Sequence, residues 1–185
     1  SSSAAFEVLI GTILSGLYND MKIDPVTIGQ VGQYAENVYF GKPCGLMDQC
    51  ASSVGSLIYI DFKDPEVPEV EKIDVDFSQF NHSLCIVDTK GSHANLTGEY
   101  AAIPAEMKSI AKLFDKKFLR DVDEQLFYMN IAKIREEIHD DRAILRALHF
   151  FEENKRVHKG VNALKEKDFD AFKEVIRASG DSSYK

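Results

Sequence analysis

Gly41-Lys42-Pro43-Cys44-Gly45-Leu46-Met47-Asp48-Gln49 is the stretch on which the fold turns. Gly41, Pro43 and Gly45 interrupt the helical pattern that precedes them, because glycine and proline both break helix interiors. The pattern resumes after Gly45, and the spacing predicts a short helix beginning near Leu46. Asp48 then falls in the first turn of that helix. There the partial positive charge of unpaired N–H groups holds a carboxylate in its anionic form, whether it serves as a cap or as a base.

Working back from this break, Asp24-Pro25 supplies an N-cap and a proline at the first helical position. Val31, Tyr34, Ala35 and Val38 share one side of the helix that follows. Gly29 and Gly32 each cost about 1 kcal/mol relative to alanine, so close packing against another element is expected there. Residues 4–18 carry Phe6, Leu9, Ile10, Ile13, Leu14 and Leu17 at helical spacing, widened by Ala5 and Val8. So broad an apolar surface predicts a largely buried helix. Ser1-Ser2-Ser3 opens it, and a helix N-terminus offers N–H donors to an anion. On their own these serines also read as an N-cap, and Glu36 as a residue on a solvated helix face.

Downstream, Leu57–Phe62 is a compact apolar run. Ile73, Val75 and Phe77 alternate with Lys72, Asp74 and Asp76, which predicts a half-exposed strand. The Lys63-Asp64-Pro65 turn and the acidic loop after it join the two as a hairpin. Leu84-Cys85-Ile86-Val87 reads as a buried strand, with a domain boundary just before it. From Pro104 the chain is helical. Met107, Ile110, Ala111 and Phe114 form one apolar stripe, and Asp123 opens a helix holding Leu126 and Ile134. Ile144 to Leu164 predicts one long helix, or two broken near Asn154. Phe169, Phe172, Val175 and Ile176 mark a last helix that Gly180 ends.

Composition narrows the classes. Of 185 residues, 44% are hydrophobic, which supports a sizeable core, and the net charge of -8 argues against nucleic acid or an anionic membrane as partner. Cys44, Cys50 and Cys85 have no metal-ligand spacing and leave an odd count. A disulfide framework or zinc site is therefore not expected, and a reducing cytoplasm is. No apolar run reaches membrane-spanning length. The five histidines are scattered, and His149 and His158 read as helix-flanking residues rather than ligands.

Three segments together resemble the galactokinase branch of the GHMP sugar kinases. Ser1-Ser2-Ser3-Ala4-Ala5-Phe6-Glu7-Val8 is similar to the tail of the family's phosphate-binding motif. Gln33-Tyr34-Ala35-Glu36-Asn37, followed by Gly41 to Gln49, is similar to the stretch carrying its catalytic aspartate. The likeness continues through Ser56 to Asp61, Gly98-Glu99-Tyr100, and Arg146 to Ala178. It implies an α+β, two-domain GHMP-kinase fold with the active site between domains. Residues 1–79 would be the later half of the first, ATP- and sugar-binding domain, and residues 80–185 the earlier part of the second.

The resemblance also implies a chemistry: ATP and D-galactose giving α-D-galactose 1-phosphate and ADP, with Mg2+ required. Ser1, Ser2 and Ser3 would bind the ATP phosphates, Ser3 and Glu36 the magnesium. Asp48 would be the catalytic carboxylate, and Gly45, Asp48 and Tyr100 would contact the sugar. Two alternatives stay open: a GHMP kinase for an N-acetylgalactosamine or arabinose type of sugar, and a non-catalytic galactose-sensing homologue. Val87-Asp88-Thr89-Lys90 and Ala101-Ala102-Ile103-Pro104 differ from the family pattern around the sugar-contacting tyrosine. The resemblance further implies that this is an internal piece of a longer chain. Alone, such a piece is expected to be inactive as a kinase and to self-associate through the surface of helix 4–18.

Overall fold

A computed structural model of the chain describes residues 2–41, 43–83, 85–88, 90 and 97–184. The chain divides into two compact units, Ser1–Gln79 and Phe80–Lys185. In the first, α1 (Ser2–Asn19), α2 (Pro25–Tyr34) and α3 (Met47–Val54) pack together beside a two-stranded antiparallel hairpin, β1 (Leu57–Asp61) and β2 (Glu69–Ile73). Asp24 caps α2 as its sequence position requires, accepting from the Thr27 N–H at 3.0 Å. The helix does not stop at Tyr34. It passes into a single π-helical turn, Ala35–Tyr39, closed by the Phe40 N–H donating to the Ala35 carbonyl at 3.3 Å.

The two glycines of α2 face their neighbours as expected. A Cβ on Gly29 would stand 3.3 Å from both Cys50 N and the Gln49 carbonyl carbon, and one on Gly32 would stand 3.3 Å from the Cβ of Glu7. Only hydrogen at these positions lets α1 and α3 approach so closely. The buried side of α1 is consequently a row of small residues, Ala4, Val8 and Ser15. This corrects the expectation of a largely buried helix: Phe6 is 64% exposed and Leu17 69%, because the large side chains point away from α2 and α3. Val31, Tyr34 and Val38 are exposed for the same reason, since the glycine side of α2 is the one that packs.

The hairpin forms, but its second strand lies earlier than the alternation suggests. Leu57 pairs with Ile73 and Asp61 with Glu69. Gly55 (φ 71°) and Ser56 (φ 66°) turn the chain out of extended geometry just before β1, so Val75 has no strand residue opposite it. Of the expected strand at residues 84–87, Leu84 lies outside the described residues. Cys85 to Val87 form no strand, and Ile86 is 94% exposed. Among the described residues β1 and β2 pair only with each other, and an apolar run without a backbone partner cannot become a strand.

The second unit is helical: α4 (Thr97–Lys112), α5 (Glu124–Met129), α6 (Ile131–Ile138), α7 (Asp141–Lys165) and α8 (Phe169–Tyr184). Its core gathers Ile110, Ala111, Leu119, Val122, Phe127, Ile134, Ala143, Ile144, Ala147 and Phe151. Three boundaries differ from expectation. Helix α4 begins at Thr97 and carries Pro104 inside it. The helix opened by Asp123 splits at Asn130, whose side-chain amide donates to the Leu126 carbonyl at 2.7 Å and so competes with the helical ladder. Gly180 does not end α8: it is not among the glycines with positive φ, and the helix runs on to Tyr184. Helix α7 is unbroken at Asn154. The polypeptide is thus α+β, mixing a helical majority with a small sheet.

Candidate active site

The site begins where α2 becomes a π turn. Such a turn adds a residue and re-aims the side chains around it, and π turns are frequent at functional sites. Here Glu36 is turned inward and is only 5% exposed, while Val38, Tyr39 and Phe40 face outward. A charged face exposed to solvent, the plain reading of Glu36 in isolation, is therefore excluded. Its two oxygens have separate partners. Ser3 Oγ donates to Oε1 at 3.2 Å across 33 positions of sequence, and Gln49 Nε2 donates to Oε2 at 3.1 Å.

The break at residues 41–45 is tied to the same place. Cys44 N donates to Asn37 Oδ1 at 2.8 Å, and the Cys44 carbonyl accepts from Gln33 Nε2 at 3.1 Å and Asn37 Nδ2 at 3.4 Å. These bonds give the loop the backbone partners that a helix or strand would have supplied. Burial, together with the neighbouring Glu36 carboxylate, pushes the Cys44 thiol above its ordinary range, and burial does the same for Cys50. All three cysteines are free thiols. For Cys44 and Cys50 the raised pKa means a protonated, weakly nucleophilic group.

Helix α3 begins at Met47, so Asp48 occupies its first turn, half-buried. The chain just before it is open: a Cβ on Gly45 would meet nothing within 4 Å. Ser2 and Ser3 are the first residues of α1, whose first turn contains no acidic side chain to offset the positive helix end. Ser1 lies outside the described residues. Tyr100 sits in the first turn of α4, in the second unit, and is 55% exposed. The structure thus brings Ser3 and Glu36 into contact and puts Asp48 beside Gln49, the residue that holds Glu36.

A hydroxyl and a carboxylate fit Mg2+ as a partial ligand set. That ion keeps several waters, and two neighbouring octahedral ligands at its usual bond length lie about 2.9 Å apart. The Ser3 Oγ to Glu36 Oε1 separation of 3.2 Å is close to that spacing. Among the described residues no group of three or more His, Cys, Asp and Glu could hold a metal by itself, so waters and phosphate oxygens would complete the set. Gln49, Glu7, Gln33 and Asn37 fall within the motifs quoted from the sequence, but sequence reasoning gave none of them a role. Gln33 and Asn37 are four apart and flank Glu36, a pairing that could have marked the face turned toward the loop.

Residues 1–56 match the family model described as GHMP kinases N terminal domain. Over 98% of its length the chain is 34% identical to a galactokinase of Actinobacillus pleuropneumoniae serotype 3 (strain JL03), covering 46% of that protein. It is 36% identical, with the same coverage, to a galactokinase of Haemophilus influenzae (strain PittGG). The crystal structure of Lactococcus lactis galactokinase complexed with galactose superposes with a TM-score of 0.70 at 25% identity, over 98% of this chain and 46% of that one. The chain therefore spans about half the length of the curated relatives it matches. No helix among the described residues is long and apolar enough to cross a membrane.

Proposed function

We infer, for a chain whose residues 1–56 match the GHMP kinases N terminal domain and whose fold is similar to that of a galactokinase, that the whole protein transfers the γ-phosphate of ATP to the anomeric hydroxyl of D-galactose. The observation that carries this reading is the contact of Ser3 with a buried Glu36, 33 positions away in sequence. A buried carboxylate must be compensated, and here one oxygen faces a helix N-terminus suited to phosphate.

In this reading the N–H groups and hydroxyls of Ser2 and Ser3, at the start of α1, hold the ATP phosphates, together with Ser1, which precedes them in sequence. Ser3 and Glu36 hold magnesium, which when bound neutralises charge on the phosphate oxygens. Asp48 accepts a hydrogen bond from the sugar hydroxyl and takes its proton as the oxygen bonds to phosphorus. The open approach at Gly45 lets backbone lie against the sugar, and the family resemblance gives Tyr100 a sugar contact as well. Residues 1–79 would be the later half of the first GHMP domain and residues 80–185 the earlier part of the second. Free thiols support a reducing compartment, the cytoplasm.

ADP release by the whole protein, measured with galactose, glucose, N-acetylgalactosamine and arabinose, tests the assignment through kcat/KM. Galactose is expected to lead. A lead for N-acetylgalactosamine or arabinose would move the protein to another sugar kinase. Galactose binding without transfer to any sugar would make it a sensor.

A further inference from the structure

Gln49 is the most enclosed polar side chain of the first unit apart from Ser15, at 1% exposure, and its contacts are unusually acidic. The amide nitrogen lies 3.1 Å from Glu36 Oε2, 3.5 Å from Glu7 Oε2 and 3.6 Å from Cys44 Sγ. Two carboxylates can only be met by the NH2 end of the amide, so its orientation is set by charge. The side chain runs close along α2, its Cγ 3.5 Å from where a Cβ on Gly32 would be, so the glycine leaves room for it.

The consequence falls on Glu36. A carboxylate free to rotate would present either oxygen to Ser3, and would be drawn toward whichever donor is nearest. Gln49 occupies Oε2 and leaves Oε1 toward Ser3 Oγ. We propose that Gln49 is a positioning residue that fixes the Glu36 carboxylate for a divalent cation, with Glu7 holding the Gln49 amide from the other side. It rests on the reading of Ser3 and Glu36 as the magnesium pair. Gln49 does not touch the ion; it acts as outer-shell partners of metal-binding carboxylates do. Loss of such partners typically lowers metal affinity about 10–100-fold. Because Gln49 directly follows Asp48 in α3, the same turn of helix carries the proposed base and the group that orients the cation ligand.

The test is nucleotide binding by the whole protein, with Mn2+·ATP as probe and with ATP in EDTA as reference. Gln49→Met keeps the unbranched shape and removes the donor. Its affinity for Mn2+·ATP is expected to fall about tenfold or more, with the metal-free affinity within about twofold of wild type. Unchanged Mn2+·ATP binding, or an equal loss with and without metal, would overturn the proposal. Should Gln49→Met fail to fold by circular dichroism, Glu7→Gln decides. It is expected to weaken only metal-dependent binding, and no change would overturn the proposal. Glu36→Gln separates the two readings. If it abolishes the metal dependence while Gln49→Met and Glu7→Gln leave Mn2+·ATP affinity unchanged, only the positioning role fails. If wild-type binding itself shows no dependence on metal, the magnesium pair fails and the positioning role with it.

Discussion

The interior of residues 80–185 is built around apolar side chains, centred on Phe127 and Phe151 with ring centroids 5.2 Å apart. Residues 1–79 also bury apolar side chains such as Ile28, Leu46 and Ile73, but among the described residues the buried polar ones, Ser15, Glu36 and Gln49, lie there too, while the large apolar residues of α1 face outward. The interior of the helical unit is apolar. The other unit encloses a carboxylate and an amide, which contribute little net stability and must satisfy one another. A buried charge held in one orientation is what the proposed cation site needs, and an apolar helical core offers nothing of the kind.

The contrast can be broken most strongly at Phe127. Phe127→Ala should destabilise the helical unit by about 3–5 kcal/mol, the usual cost of deleting a buried aromatic ring. Amide hydrogen exchange should then quicken across α5 to α7 and leave α1 to α3 unchanged. Equal loosening in α1 to α3 would mean that the two units do not differ as described.

A smaller effect comes from Gly29→Ala. The new methyl would press on the backbone of Cys50 and Gln49 at 3.3 Å, and backbone yields less readily than the end of a side chain. A loss of about 1–3 kcal/mol in urea unfolding is expected, the range for overpacking. The same substitution at Gly180 should have the opposite sign. A Cβ there meets nothing within 4 Å, so Gly180→Ala should stabilise α8 by about 0.5–1 kcal/mol. A loss at Gly180 would show that the helix needs glycine there.

These three sites also mark how far the fold could be read from residues alone. The apolar stripes of α4 and α7 follow helical spacing, and Asp24-Pro25 states its own cap, so both were legible, whereas in α5 the reading picked Leu126, which is 47% exposed, and missed the buried Phe127 beside it. The start of α3 was legible because Gly41, Pro43 and Gly45 leave no other place for a helix to resume. Gly180 misled because glycine is common just past helix ends, yet nothing in its neighbourhood forces a left-handed turn. The strand at residues 84–87 misled because apolar composition cannot say whether a partner strand exists. In the site, the serines, Glu36 and Asp48 could be named from their resemblance to a family. The burial of Glu36 could not, since five residues of π turn have no periodicity distinct from helix. Nor could the duty of Gln49, which depends on Glu7, 42 positions away.

Asp48→Asn tests the central claim most directly. It preserves size and place in the first turn of α3 while removing the anionic acceptor. Steady-state galactose phosphorylation by the whole protein should show kcat lowered about 100-fold or more, with KM for ATP little changed, because the lost interaction belongs to the transition state. A variant that keeps near-normal kcat would contradict the account and leave Asp48 as an acidic first-turn residue that complements the helix dipole.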